Sequence, residues 1–94
     1  MQLPELNYGD IIEIVWVDIV GDAAWTPRSV VDTLKPVCCM YSGYYVGADE
    51  DCVRCCNTIA TNDGNSDYYI FPLGVIRKLD ILKRSTYECN SDSE

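Results

Sequence analysis

Histidine is absent from this 94-residue chain. That removes the commonest general base, the usual partner of a serine or cysteine nucleophile, and every mixed Cys/His zinc site. Basic residues are scarce, with 7 lysines and arginines against 15 aspartates and glutamates and a net charge of -8. A groove that neutralises a phosphate backbone needs more cations, so nonspecific nucleic-acid binding is not expected. Four of the cations cluster at Arg77, Lys78, Lys83 and Arg84. They read as a local basic strip or as the solvated face of a last strand. Long apolar runs are also missing, because Glu13 and Asp18 interrupt the one that comes nearest to membrane-spanning length. The opening Met-Gln-Leu-Pro-Glu-Leu has neither the basic nor the apolar region of a signal peptide, so a cytosolic or virion setting is expected. Repeats and low-complexity tracts are lacking too.

What remains is a chain of one domain's length, 48% apolar, with two tryptophans, seven tyrosines and one phenylalanine to fill a core. Five segments read as strands: 11–20, 37–46, 52–60, 68–71 and 75–82. In the first, Ile12, Ile14 and Trp16 alternate with Glu13, Val15 and Val17. A period of two with Glu13 on one face turns Ile12, Ile14 and Trp16 inward. Asp18 continues that row at the strand's mouth, where it needs a donor or an opening to solvent. Gly43 marks a bend or bulge in the long second strand. Asp49-Glu50-Asp51 and Asn62-Asp63-Gly64-Asn65 are turns. The every-third spacing of Ile76, Leu79 and Leu82 suggests a turn of 3₁₀ helix leading into the last strand.

Between the first two strands, Thr26 is a plausible N-cap with Pro27 at the first helical position, and Pro36 ends the segment. A short helix over 27–35 follows. Val30, Val31 and Leu34 are expected to lie on the sheet, with Trp25 as the anchor beside them. The expected fold is mainly β: a small five-stranded, partly open barrel with one short helix after the first strand. Residues 1–9 form a lead-in arm, 10–84 the domain, and 85–94 a mobile acidic tail.

Six cysteines stand at Cys38, Cys39, Cys52, Cys55, Cys56 and Cys89. Cys52-Val53-Arg54-Cys55 has the spacer of a zinc knuckle, which Cys38 or Cys39 would complete. Against this, Val53-Arg54 is strand-like, Cys38-Cys39 is adjacent, and on an extended strand Cys52 and Cys55 point to opposite faces. Disulfides are not expected without a secretory signal. The favoured reading is small apolar filling, with Cys55 on the face of Val53 and Arg54 on the outer one. No metal or cofactor is expected. Asp49, Glu50, Asp51, Asp63 and Asp67 lack the order of a calcium loop and read as solvated turn tips. Tyr44-Tyr45 and Tyr68-Tyr69 each send one ring in and one out, by a register the sequence leaves open. Outer rings with Trp25 and Arg28 would make a stacking platform or ordinary strand surface.

The succession Trp16-Val17-Asp18, Trp25, Ser42-Gly43-Tyr44, an acidic turn, Val53, a polar Asn-Gly-type loop and Phe71-Pro72-Leu73-Gly74-Val75-Ile76-Arg77-Lys78-Leu79 resembles a group of small phage-encoded β-barrel proteins of Sm-like or Src-homology-like layout. Unlike Sm-like RNA binders, this chain has an acidic loop at 63–67 and no lysine near Pro72. The resemblance implies a non-enzymatic, stoichiometric binder in the host cytoplasm. Such a homo-oligomer would sequester a small anionic, nucleotide-like ligand or inhibit a host defence protein. Trp25, Tyr44 and Tyr68 would supply stacking area, and Arg28, Arg54 and Arg77 would neutralise an anion. The alternatives are an acidic mimic of nucleic acid or an adaptor on a basic host protein, and a zinc-dependent interaction module.

Overall fold

A computed structural model describes residues 1–86. The tail expected over 85–94, and Cys89 with it, lies largely outside the described residues. Five strands form one antiparallel sheet: β1 (Ile11–Asp18), β2 (Val37–Ala48), β3 (Cys52–Cys56), β4 (Tyr69–Pro72) and β5 (Ile76–Lys83). Their order is β4-β3-β2-β1-β5, so β4 and β5 are the two edges and the sheet is open. It nevertheless curls. Phe71 on β4 meets Trp16 on β1, across the two intervening strands β3 and β2, with ring centroids 5.5 Å apart and edge-on. Tyr41 on β2 meets the same ring at 5.1 Å. The mainly β, five-stranded expectation holds. The individual strands shift by a few residues, most in β3, which stops at Cys56 instead of residue 60.

The alternation in β1 sets the core. Ile12 and Ile14 are fully buried and Trp16 is half-buried, as their period predicts. They face Val53, Cys55, Phe71, Ile76 and Leu79. Each fully buried aliphatic side chain contributes about 2 kcal/mol of transfer free energy. Asp18 ends the row exposed, and its Oδ1 accepts the Ile19 N–H at 2.8 Å.

The three-residue spacing in β5 has a different cause from the one expected. A 3₁₀ turn does lead into the last strand, as expected, but at Leu73–Val75, before the spaced residues begin. Trp16 pairs with Ile76 and Val15 with Lys78, so Arg77 is an extra, bulged residue. The bulge lets Ile76 and Leu79 face the same side although three positions apart. A second bulge at Leu82 leaves it exposed, and Ile81 packs against the core instead.

Gly43 also differs from its expected role. It sits in regular register opposite Ile12, and the bulge that bends β2 is at Val46, between Tyr45 and Gly47. Gly43 is there for room. A Cβ at this position would lie 2.6 Å from the Cys56 carbonyl oxygen and 2.8 Å from Cζ of Tyr41, and would overlap the Tyr41 hydroxyl.

The lead-in segment does more than lead in. Leu3 and Leu6 pack on the core. Gly9, at φ 88°, turns the chain so that its N–H reaches the Tyr45 carbonyl at 2.8 Å, and the Asp10 carbonyl accepts the Tyr45 N–H at 2.8 Å.

The largest departure is the helix. It spans only Arg28–Val31, has no side-chain cap, and buries none of its residues. Thr26 is not its cap, because its hydroxyl donates to the Ala24 carbonyl at 3.3 Å. The β1–β2 ladder closes at Asp18 and Val37, so residues 19–36 project beyond the sheet as an arm. With no strand beside the helix, Val30, Val31 and Leu34 do not lie on the sheet. Trp25 is not an anchor, being 99% exposed. The radius of gyration is 17.5 Å and the extents are 65 × 26 × 21 Å. A compact chain of this length would have a radius of about 12 Å. Among the described residues no helix is long and apolar enough to cross a membrane.

Candidate interaction surface

The arm carries Ile19, Val20, Trp25, Val30, Val31 and Leu34, all exposed. Connecting segments are normally polar, since their backbone must meet water. Six large apolar side chains in 18 residues of connection is the composition of a core without the core. That excess was the available sequence signal. Its spacing suggests a helix packed on the sheet, an expectation the exposed arm overturns.

At the root of the arm, the mouth of the curled sheet opens into a groove of about 570 Å³. Trp16, Tyr41, Tyr69, Phe71 and Val75 form its floor from the inner face. Val17, Ile19, Met40 and Ile70 form its rim, and Asp18 is its one charged member. The floor is rigid because its rings interlock. Tyr41 and Tyr69 stand 5.4 Å apart, Tyr41 donates to Asn57 Oδ1 at 3.0 Å, and Asn57 Nδ2 donates to the Tyr69 hydroxyl at 3.3 Å. Burial, with the neighbouring Cys55 and Cys56 thiols, pushes the Tyr41 hydroxyl well above the usual phenol range, so it stays a donor at any physiological pH. Groove and arm are continuous through Val17, Asp18 and Ile19.

A second concavity of about 410 Å³ lies against the opposite face of the sheet. Ile11 and Tyr44 form its apolar side, with Asn57, Thr58, Lys83 and Arg84 around it. Arg84 is committed to structure, donating to the Glu5 carbonyl at 2.9 Å and to Asp10 Oδ2 at 3.0 Å.

The six residues expected to bind a ligand do not converge. Trp25 and Arg28 are on the arm, where Arg28 pairs with Asp32 at 3.7 Å and both side chains are largely solvated. Tyr44 lines the second concavity. Arg54 donates to Asp49 at 2.7 Å. That hydrogen bond, with those from the Asp51 and Cys52 N–H groups, holds the Asp49 carboxyl down at about 2. Asp49 is thereby the brace of its turn. Tyr68 is exposed just before β4, and Arg77 in its bulge donates to the Gly74 carbonyl at 3.3 Å. None of the six lines the groove at the arm's root. The tyrosine pairs resolve as Tyr45 and Tyr69 inward, Tyr44 and Tyr68 outward.

Sequence reasoning also missed Asp10, which is fully buried. Its carboxylate accepts the N–H groups of Asn7 at 2.8 Å and Ser85 at 2.7 Å besides the Arg84 bond. Burial raises its pKa, but these three hydrogen bonds and the Arg84 charge outweigh it and hold the carboxyl below its ordinary value.

Among the described residues all five cysteines are free thiols. No group of three or more Cys, Asp or Glu is arranged to hold a metal ion there. Val53 and Cys55 share the buried face, as expected, while Cys56 is buried from the other side beneath Tyr44. Burial and the adjacent Cys56 push the Cys55 thiol up to about 12. An alkylating reagent at neutral pH is therefore expected to label Cys38 rapidly in the native protein and Cys55 and Cys56 only under denaturant. Peptide mapping reads this directly; prompt native labelling of Cys55 would contradict the buried-filler assignment.

Comparisons with protein-family models, with curated proteins and with solved structures return no match.

Proposed function

We propose that this protein is a non-enzymatic binding module that engages a protein partner through the β1–β2 arm. One observation carries the reading: an indole 99% exposed, on an arm whose aliphatic side chains stay 46% to 90% exposed among the described residues. Buried tryptophans surrounded by apolar contacts are the residues that most often dominate protein–protein affinity. The lack of histidine supports a binding role over catalysis, as do Arg54 and Arg77, which are turned onto Asp49 and the Gly74 carbonyl. The arm itself is neutral, with Asp22 and Asp32 against Arg28 and Lys35, so contact through it brings little of the chain's net charge of -8 against a partner. The mainly β, five-stranded fold class accords with the resemblance to phage-encoded proteins drawn from the sequence. On that basis we extend the reading to inhibition of a defence protein in a host cytoplasm.

The test uses a Trp16→Phe variant, in which Trp25 is the sole indole. Iodide should quench Trp25 as it does free indole at high dilution, and several-fold less in the complex the protein forms when purified from its producing cells. An indole equally quenched in every complex would sink the reading.

The second concavity favours another reading, capture of a small anion. Lys83 forms no ion pair among the described residues and stands beside Tyr44, Asn57 and Thr58. A small anion retained in the native mass spectrum and lost on Lys83→Ala would carry it. This is the part of the nucleotide-ligand expectation that the geometry supports.

A further inference from the structure

We infer that the partner of the arm is a second copy of this chain, with the arm tip of each protomer seated in the groove at the other's arm root. This rests on the binding-module reading and names its partner.

Three observations point to self-pairing. The first is area. The chain exposes 6792 Å². A compact monomer of its 10.6 kDa mass would expose about 5,500 Å². The excess, roughly 1,300 Å² over the whole chain, leaves room for the ~800 Å² per partner that a stable interface buries, and the exposed apolar side chains of the arm contribute to it.

The second is charge. Residues 19–36 hold Asp22 and Asp32 against Arg28 and Lys35, so the arm is neutral and the -8 lies wholly on the rest of the chain. The groove offers only Asp18. Arm and groove are thus the surfaces by which two copies of an acidic protein can meet with least repulsion.

The third is shape. An apolar arm and an apolar groove of 570 Å³ occur on one chain, and that volume suits an indole with aliphatic neighbours. The groove is built from the arm's own root strands, so the tip cannot enter its own groove without melting the hairpin. A second copy laid antiparallel brings each tip to the other's root with no such change. The two contacts are then equivalent and close on themselves, which stops the assembly at a dimer. Ile70 and Tyr69 on the edge strand β4, both exposed in the single chain, are covered by the incoming arm.

The experiment pairs an arm variant, Trp25→Ser with Val31→Asp, against a groove variant, Ile70→Asp. All three positions are exposed, so circular dichroism and Tm should match the parent and certify the fold. Sedimentation at tens of micromolar should show the parent as a dimer and each variant alone as a monomer, with dimer Kd raised at least 100-fold by analogy with interface hot spots. Mixing the two variants should give a one-to-one heterodimer, weaker than the parent dimer but tighter than either variant alone, because one of its two contacts joins an intact groove to an intact arm. A monomeric parent, a dimer indifferent to either variant, or variants that fail to associate when mixed would each overturn the inference. The wider reading fails separately: a monomeric parent whose Trp25 is still shielded from iodide by a different protein keeps the binding module and loses only the self-pairing.

Discussion

Replacing Asp10 with alanine should lower the unfolding free energy by about 2–4 kcal/mol. For a domain of this size that is a fall of ~10–20 °C in Tm. The carboxylate is fully buried and is the acceptor for Asn7 N–H, Ser85 N–H and Arg84. Alanine takes the shared acceptor from two part-buried backbone donors and removes the contact joining residues 74 and 75 positions apart. Arg84→Ala should cost less, about 1 kcal/mol, because its side chain is half exposed and partly screened by water. Chemical denaturation of both variants checks the order; an Asp10→Ala loss no larger than that of Arg84→Ala would show that the backbone donors find other partners.

The same site predicts an acid dependence. The Asp10 carboxyl titrates below its unfolded value of 3.8 in the folded protein. Its contribution is therefore present above that unfolded value and is lost as pH falls through the lower folded one. The stability gap between the parent and Asp10→Asn should be constant near neutrality and close in that acid window. A gap unchanged at the lowest accessible pH would contradict the assignment.

The second large effect belongs to Gly43. Gly43→Ala should destabilise by about 1–3 kcal/mol, the range for overpacking a filled site. The Cys56 carbonyl is backbone and cannot swing away, whereas the Tyr41 ring can shift only by disturbing Tyr69 and Phe71. Tyr41→Phe removes the hydroxyl that the new methyl would overlap. The double variant should then be less destabilised than the sum of the singles, a coupling a double-mutant cycle measures directly. Strict additivity would place the strain on Cys56 alone.

Much of the sheet was legible because alternation is a local signal. Ile12, Ile14, Val53 and Cys55 declare their face through their immediate neighbours, and Asn62–Asn65 declares a turn, realised at Gly64 with φ 77°. The spacing of Ile76 and Leu79 was visible but its cause was not, since a bulge is defined only against the partner strand. Asp10 and Arg84 could not be matched in advance, because nothing near either residue marks a partner more than 70 positions away.

The arm shows the limit most clearly. Val30, Val31 and Leu34 have the spacing of a helix meant to pack, and Pro27 and Pro36 frame it. Spacing says that a face is apolar; it does not say what will cover it. That depends on where β1 and β2 part company, at Asp18 and Val37, and on whether any strand lies beneath. The linear order of residues thus determined the strands, their buried faces and an acidic surface without histidine. Tertiary structure alone decided that the sheet curls around Trp16, Tyr41 and Phe71, that Asp10 ties the start of β1 to the residues just beyond β5, and that Trp25 is left in water, because each of these depends on which distant segments come within a few ångströms.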